Sequence, residues 1–177
     1  MKHGIYLPNY GFFGDPNTLI KLAVAAEQAG WDGFFIWDHI SRPKASGPVA
    51  DPWIVLAASA MKTERIMLGA LVTPLPRRRP WKVAKEAASL QTISNGRLIF
   101  GAGIGGGRSF EWEDFGEEED AKTRGIMLDE GLKVLTQLLT GEPVSHAGEY
   151  YNLNEALIFP APTPKLPVWI GGYYPAK

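Results

Sequence analysis

A strand-then-helix step of roughly 30 residues recurs along this chain, and it limits the possible folds more than any other feature. Gly4–Leu7 is a short apolar run stopped by Pro8-Asn9, which reads as a strand. Asp15-Pro16 then opens a helix, with Asp as N-cap and Pro at the first helical position. Leu19, Leu22, Ala23 and Ala26 recur at helical spacing, and Gly30 supplies the left-handed residue that ends it. Residues 34–37 read as the second strand, and Asp51-Pro52 repeats the helix start, for a helix reaching about Lys62. Residues 66–72 read as the third strand. Arg79-Pro80 opens a third helix that stops at Asn95-Gly96, and residues 98–100 read as the fourth strand.

Four such steps in a row predict a parallel sheet with helices packed on it. After Gly107 the rhythm changes. Residues 109–120 are acidic and aromatic without a clean period, and read as a loop or short helical insertion. Leu128, Leu132, Leu135 and Leu139 mark an amphipathic helix ended by Thr140-Gly141. Residues 144–146 and 149–153 flank Ala147-Gly148 as a small hairpin. A proline-rich connector over 159–167 leads to a fifth strand, Val168–Ile170, closed by Gly171-Gly172. An open doubly wound sheet and a barrel both suit this order. A complete (β/α)₈ barrel needs about 250 residues, so these strands and helices cannot close one alone. Residues 1–177 are expected to form one domain.

Composition excludes several functions. The formal net charge is -1, so nothing points to nucleic acid or an anionic membrane surface. There is no cysteine, which rules out disulfides, thiolate zinc sites and a cysteine nucleophile. No apolar run approaches a membrane span, and the N-terminus lacks a signal-peptide pattern, so the expected location is cytoplasmic. No spacing of His, Asp and Glu suits a metal, and no G-x-S-x-G elbow is present.

In either parallel architecture, sites collect at the C-terminal ends of strands. Those ends carry Pro8, Asn9 and Tyr10; Asp38 and His39; Thr73 and Pro74; the glycine-rich stretch Gly103, Ile104, Gly105, Gly106 and Gly107; and Gly171 with Gly172. Asp38-His39 is the sharpest pair: a histidine able to exchange a proton with a ring or substrate, or else two polar residues at a loop entrance. Gly101, Gly103 and Gly106 satisfy G-x-G-x-x-G, but no apolar helix follows at once, which argues against a dinucleotide fingerprint. What remains is a turn whose amides approach a phosphate or flat ring, or a tight turn beside a packed loop. Arg77, Arg78 and Arg79 read as a solvated loop face, with contact to an anionic ligand as the alternative. The acidic run 117–120 reads as solvated, and His146 as structural or exposed. No lysine lies at a strand end to form a Schiff base.

The ordered segments GIYLPNYG, AAEQAGWDGFFIWDH, LGALVTPLPRRRPWKVAKEAASLQTISNGRLIFGAGIGGG, TRGIMLDEGL, LTGEPVSHAGEYYNL and PVWIGG are similar to luciferase-like monooxygenases across nearly the whole chain. That family includes FMN-dependent enzymes and enzymes using the deazaflavin coenzyme F420. The resemblance implies a partial (β/α)₈ barrel of about five parallel strands, with helices outside and a hairpin insertion. It implies an oxidoreductase or monooxygenase acting with molecular oxygen, or a deazaflavin-dependent dehydrogenase, with FMN ranked ahead of F420 and a small-molecule substrate. Asp38 and His39 match the pair beside the ring, with His39 in the catalytic role. Ala70, Leu71 and Thr73 match a bulge behind the ring, where a non-proline cis bond is expected at Ala70–Leu71. Gly103, Ile104 and Gly105 match a turn near the cofactor's side chain or phosphate, and Gly171 and Gly172 a turn that helps hold phosphate. Dimerisation or higher homo-oligomerisation is expected through the second and third helices, including Trp53 and Trp81. Family members continue past the IGG turn through another helix and three more strands. The chain then reads as a fragment, as a natural short relative that binds flavin or assembles without catalysis, or as one of two chains completing each other's sheet.

Overall fold

The computed structural model describes residues 1–106 and 109–172; Gly107, Arg108 and the stretch 173–177 lie outside the described residues. Local chemistry sets the helix boundaries. Helix α1, Pro16–Gln28, begins where the Asp15 carboxylate accepts the Asn17 and Thr18 amides, and it ends before Gly30 at φ 88°. Helix α2, Pro52–Ala60, starts the same way, with Asp51 accepting the Ile54 amide. It stops two residues short of the expected Lys62. Helix α3, Pro80–Ile93, closes on Asn95 and Gly96, both at positive φ. Helix α4, Ala121–Leu138, starts a full two turns ahead of its leucine ladder because Asp120 caps it through Thr123.

The strands are β1, Gly4–Leu7; β2, Gly33–Ile36; β3, Met67–Ala70; β4, Thr73–Pro74; β5, Phe100–Gly103; the hairpin pair β6, Val144–Ala147, and β7, Asn152–Ala156; and β8, Val168–Ile170. One parallel sheet runs β1-β2-β3 and another β4-β5-β8. A parallel bridge between Leu68 and Leu98 joins them. The third strand, read as continuous over 66–72, is therefore split in two. The cis bond lies at Leu71–Val72, one residue later than expected. The reason for the offset is pairing: the Leu71 amide still donates to Ile36 O at 2.9 Å, so β3 keeps its register with β2 through Leu71.

The two sheet faces differ. Phe34, Ile36, Leu68, Ala70, Phe100 and Ala102 point into the core, packed with Leu19, Ala23, Leu56, Val83, Ala84 and Ala87 of the helices. The opposite face is lined by glycine. A Cβ on Gly33 would stand 2.5 Å from the Phe35 ring, and one on Gly69 2.4 Å from Ile99 O. Phe35 lies across this glycine floor and meets Trp169 at 5.9 Å. Trp53, expected at a subunit interface, is buried within the chain against Phe100. Trp81 is half-buried and edge-on to Tyr151.

Candidate active site

The C-terminal strand ends are tied together by buried polar groups, beginning with Asn9. Its amide Nδ2 donates to His39 O at 2.8 Å and Ala50 O at 2.7 Å, and its Oδ1 accepts the His39 amide at 3.1 Å. Asn9 is fully buried, so those three bonds fix the end of β1 against both ends of the loop that follows β2.

His39 sits at the start of that loop. Its Nδ1 is 2.8 Å from Glu111 Oε2, while Oε1 of the same carboxylate accepts the Ile40 amide at 3.1 Å. The ring packs edge-on to Trp37 at 5.6 Å and to Tyr10 at 5.4 Å. A carboxylate only accepts hydrogen bonds, so the proton on the neutral ring lies on Nδ1, leaving Nε2 free to exchange one. Burial pushes the Glu111 carboxyl up; the hydrogen bond and charge of His39, the charge of Arg77 and the Ile40 amide outweigh it, and the net direction is down.

Asp38 stands next in sequence but has different partners. Its carboxylate accepts Arg77 Nη2 at 3.0 Å and Arg78 Nη2 at 2.9 and 2.8 Å. Arg77 also donates to Asp38 O at 2.6 Å and reaches Glu111 Oε1 at 3.5 Å. Two carboxylates and two guanidiniums thus form a charge-balanced buried network. Arg77 is only 4% exposed at its side chain, which corrects the expectation that this basic run is a solvated face. Of the three arginines only Arg79 is exposed to solvent. Asp38, His39, Arg77 and Arg78, with Ile40 and residues 49–52, line a cavity of about 250 Å³. Sequence reading missed Arg77, Arg78 and Glu111 as parts of the site.

The break between β3 and β4 builds an apolar ledge. The Tyr6 hydroxyl donates to Leu71 O. The Leu71 side chain lies over Gly101, where a Cβ would come within 2.5 Å of it. Val72 fits between Gly103 and Gly171, whose Cβ atoms would stand 2.5 and 2.4 Å away. Ala70 faces the helix-side core, and Ile104 packs against that core from its edge. Gly105 needs its φ of 80° and lies against Trp112, whose indole donates to Gly106 O at 2.6 Å. A Cβ on Gly106 or Gly172 would meet nothing within 4 Å among the described residues, which leaves the backbone there open to a ligand on their side. Trp37 Nε1 and Thr73 Oγ1 are buried and have no hydrogen-bond partner among the described residues. No group of three or more His, Asp or Glu side chains among the described residues could hold a metal ion. His146 bonds Glu130 at 3.1 Å in the α4–hairpin contact, away from the strand ends.

A family model described as luciferase-like monooxygenase matches residues 3–177. Among curated proteins, an F420-dependent glucose-6-phosphate dehydrogenase of Nakamurella multipartita is 36% identical over 166 residues, covering 91% of this chain and 48% of that protein. The counterpart in Microbacterium testaceum is 33% identical, with the same coverage of both chains. Among solved structures, an F420-dependent secondary alcohol dehydrogenase in complex with an F420-acetone adduct superposes with a TM-score of 0.86 at 24% identity, over 97% of this chain and 53% of the other. The oxygenating constituent of 3,6-diketocamphane monooxygenase from Pseudomonas putida, in complex with FMN, gives 0.83 at 25% identity, over 96% and 51%. The chain spans about half the length of the curated relatives it matches.

Proposed function

This chain belongs to the luciferase-like monooxygenase family, and we propose that it forms the cofactor-side part of a (β/α)₈ barrel oxidoreductase. In this reading β1, β2, β3 with β4, β5 and β8 are successive barrel strands, and a flavin or deazaflavin lies across their C-terminal ends. The residues present suit a flat heteroaromatic ring. Leu71 and Val72 offer an apolar ledge, while Trp37 Nε1 and Thr73 Oγ1 are orphaned polar atoms at the same strand ends. The open backbone at Gly106 and Gly172 leaves room for a phosphate-bearing side chain. The curated relatives with the higher identities are F420-dependent, and the FMN-bound neighbour stands at 25%, so we rank F420 ahead of FMN.

The cofactor supplies hydride or oxygen chemistry when bound; the protein supplies position and proton handling. The carrying observation is the His39–Glu111 contact at 2.8 Å at the C-terminal strand ends. Glu111 holds the His39 proton on Nδ1, and His39 Nε2 takes or returns the proton of the substrate oxygen. Asp38 acts through Arg77 and Arg78, fixing the loop that carries His39. Titrating the purified chain with F420 and with FMN, read by absorbance, tests this. Saturable binding of one of them at micromolar concentration is expected; binding of neither refutes it.

A second reading has its own observation. Tyr6 and Trp169 are 53% and 49% exposed on the glycine-lined face. An assembly role would cover that face with further polypeptide or a second copy. Sedimentation of the purified chain as a monomer at high concentration would count against it.

A further inference from the structure

Arg42 is the unusual cation of this site. It lies in the loop after β2, three residues beyond His39. Its guanidinium sits 4.3 Å above the Tyr10 ring and 5.3 Å from the Phe110 ring. The other face of the local cluster is His39, whose ring meets the same Tyr10 at 5.4 Å. The loop is pinned at both ends: Asn9 binds the His39 backbone and Ala50 O, Tyr10 bridges to Val49, and the Gly11 amide donates to Pro48 O.

What sets Arg42 apart among the arginines that are not solvent-exposed is its lack of acceptors among the described residues. Arg77 and Arg78 donate to Asp38, Arg97 to carbonyls of α2 and neighbouring turns, and Arg124 to Glu118 O and Glu119 O. Arg78 and Arg124 also have an orphaned Nε, but each uses its other nitrogens. Arg42 donates to no acceptor among the described residues, and its Nε is buried away from water. A guanidinium presents five N–H donors in a rigid fork suited to carboxylate and phosphate. Leaving a buried donor unpaired is unfavourable, and a held side chain loses little freedom when it binds.

We propose that Arg42 receives an anionic oxygen group, phosphate or carboxylate, on the molecule whose reacting end meets His39. This inference rests on the function proposed above and adds a substrate class to it: anionic small molecules. The anion could instead be the cofactor's own phosphate. Position argues for the substrate. Open backbone for a cofactor phosphate lies at Gly106 and Gly172, after β5 and β8, whereas Arg42 follows β2. Two strand spacings of about 4.8 Å separate the ends of β2 and β5, and three those of β2 and β8.

The test uses the ¹⁵N-labelled chain titrated with inorganic phosphate at constant ionic strength, reading the Arg42 Nε–H resonance. A saturating shift is expected. Arg42→Met should abolish it, Arg42→Lys should weaken binding at least about tenfold, and Arg79→Met, at an exposed arginine over Trp81, should leave it intact. No saturating shift in the wild-type chain, or the same phosphate-induced changes at neighbouring resonances in Arg42→Met, overturns the proposal; a folded Arg42→Lys that binds like wild type does so too. A second arm compares FMN with riboflavin, which lacks the phosphate. An unchanged affinity ratio in Arg42→Met assigns the anion to the substrate. Loss of FMN affinity alone assigns it to the cofactor and overturns the substrate class. Phosphate binding in a chain that binds no flavin or F420 would refute the flavin reading and leave Arg42 as an anion site.

Discussion

Replacing Glu111 with glutamine tests whether this carboxylate sets the proton position on His39. The side chain is 3% exposed, so solvent screens its interactions little. The substituted amide would keep a carbonyl to accept the Ile40 amide, which Glu111 now accepts at 3.1 Å. It would lose the charge opposite Arg77, and its NH₂ would face His39 Nδ1 as a donor instead of an acceptor. A hydrogen bond to a charged group contributes about 1.5–3 kcal/mol. One is lost, and the Arg77 contact at 3.5 Å is already long, so a net loss near ~2 kcal/mol is expected. With a urea slope of about 2 kcal/mol per molar, the unfolding midpoint should fall by about 1 M. The diagnostic readout is the long-range ¹H–¹⁵N spectrum of the His39 ring. The neutral wild-type ring should carry its proton on Nδ1, and the variant should shift it towards Nε2. An unchanged tautomer in a folded Glu111→Gln protein would refute the assignment, whatever happens to stability.

Arg97 makes five contacts: Nε to Ser94 O, Nη1 to Thr63 Oγ1 and Ile66 O, and Nη2 to Ala60 O and Thr63 O. Arg97→Met leaves four carbonyls and the Thr63 hydroxyl without this donor and should cost about 3 kcal/mol in urea unfolding, and a loss below about 1 kcal/mol would contradict this. Tyr151 is buried, its hydroxyl has no partner among the described residues, and burial, followed by the charge of Glu130, pushes its pKa up to about 12. Tyr151→Phe should therefore leave thermal stability unchanged or raise it, and a clear fall in Tm would show a hidden partner. Glu111, Glu27 and Glu130 are each raised by burial but lowered overall, chiefly by amide and side-chain hydrogen bonds. Folded values below the unfolded ones mean a stabilisation fully present above about pH 5 and lost as pH falls through the folded values. The urea midpoint should hold from neutrality to about pH 5 and then drop, more steeply in the wild-type chain than in Glu111→Gln.

Much of the fold is legible because its signals are local. Asp15-Pro16 and Asp51-Pro52 cap helices through neighbours two or three residues away, as their sequence implies. Helix α4 shows the limit: its leucine ladder is clear, but its start depends on Asp120, which lies in an acidic run that reads as solvent-facing. The break after β3 is foreseeable in kind, but its position is set by pairing with Ile36, a tertiary fact. Gly103 and Gly171 read as cofactor turns in the sequence. Their visible structural reason is the Val72 side chain lying between them.

The charged network is illegible for a different reason, and the sheet order supplies what the local reading lacks. Asp38 and its arginines are 39 and 40 residues apart, and His39 and Glu111 are 72 apart. No window of the sequence pairs them, so composition alone turns Arg77 and Arg78 towards solvent. Strand order brings them together. Asp38 and His39 follow β2, Arg77 and Arg78 follow β4, and Glu111 follows β5. In a parallel sheet, neighbouring strand ends lie about 4.8 Å apart, within the span of an arginine side chain. Once β2 is beside β3 and β4 beside β5, a carboxylate after the first, guanidiniums after the second and a carboxylate after the third must either pair or keep unpaired charges in a dry rim. Pairing is the lower-energy outcome. It leaves His39 with a ring nitrogen, and Arg42 as a half-buried cation, without a hydrogen-bond partner among the described residues. Charge pairing across adjacent strand ends therefore engages Asp38, Glu111, Arg77 and Arg78 and leaves His39 Nε2 and Arg42 to meet a ligand.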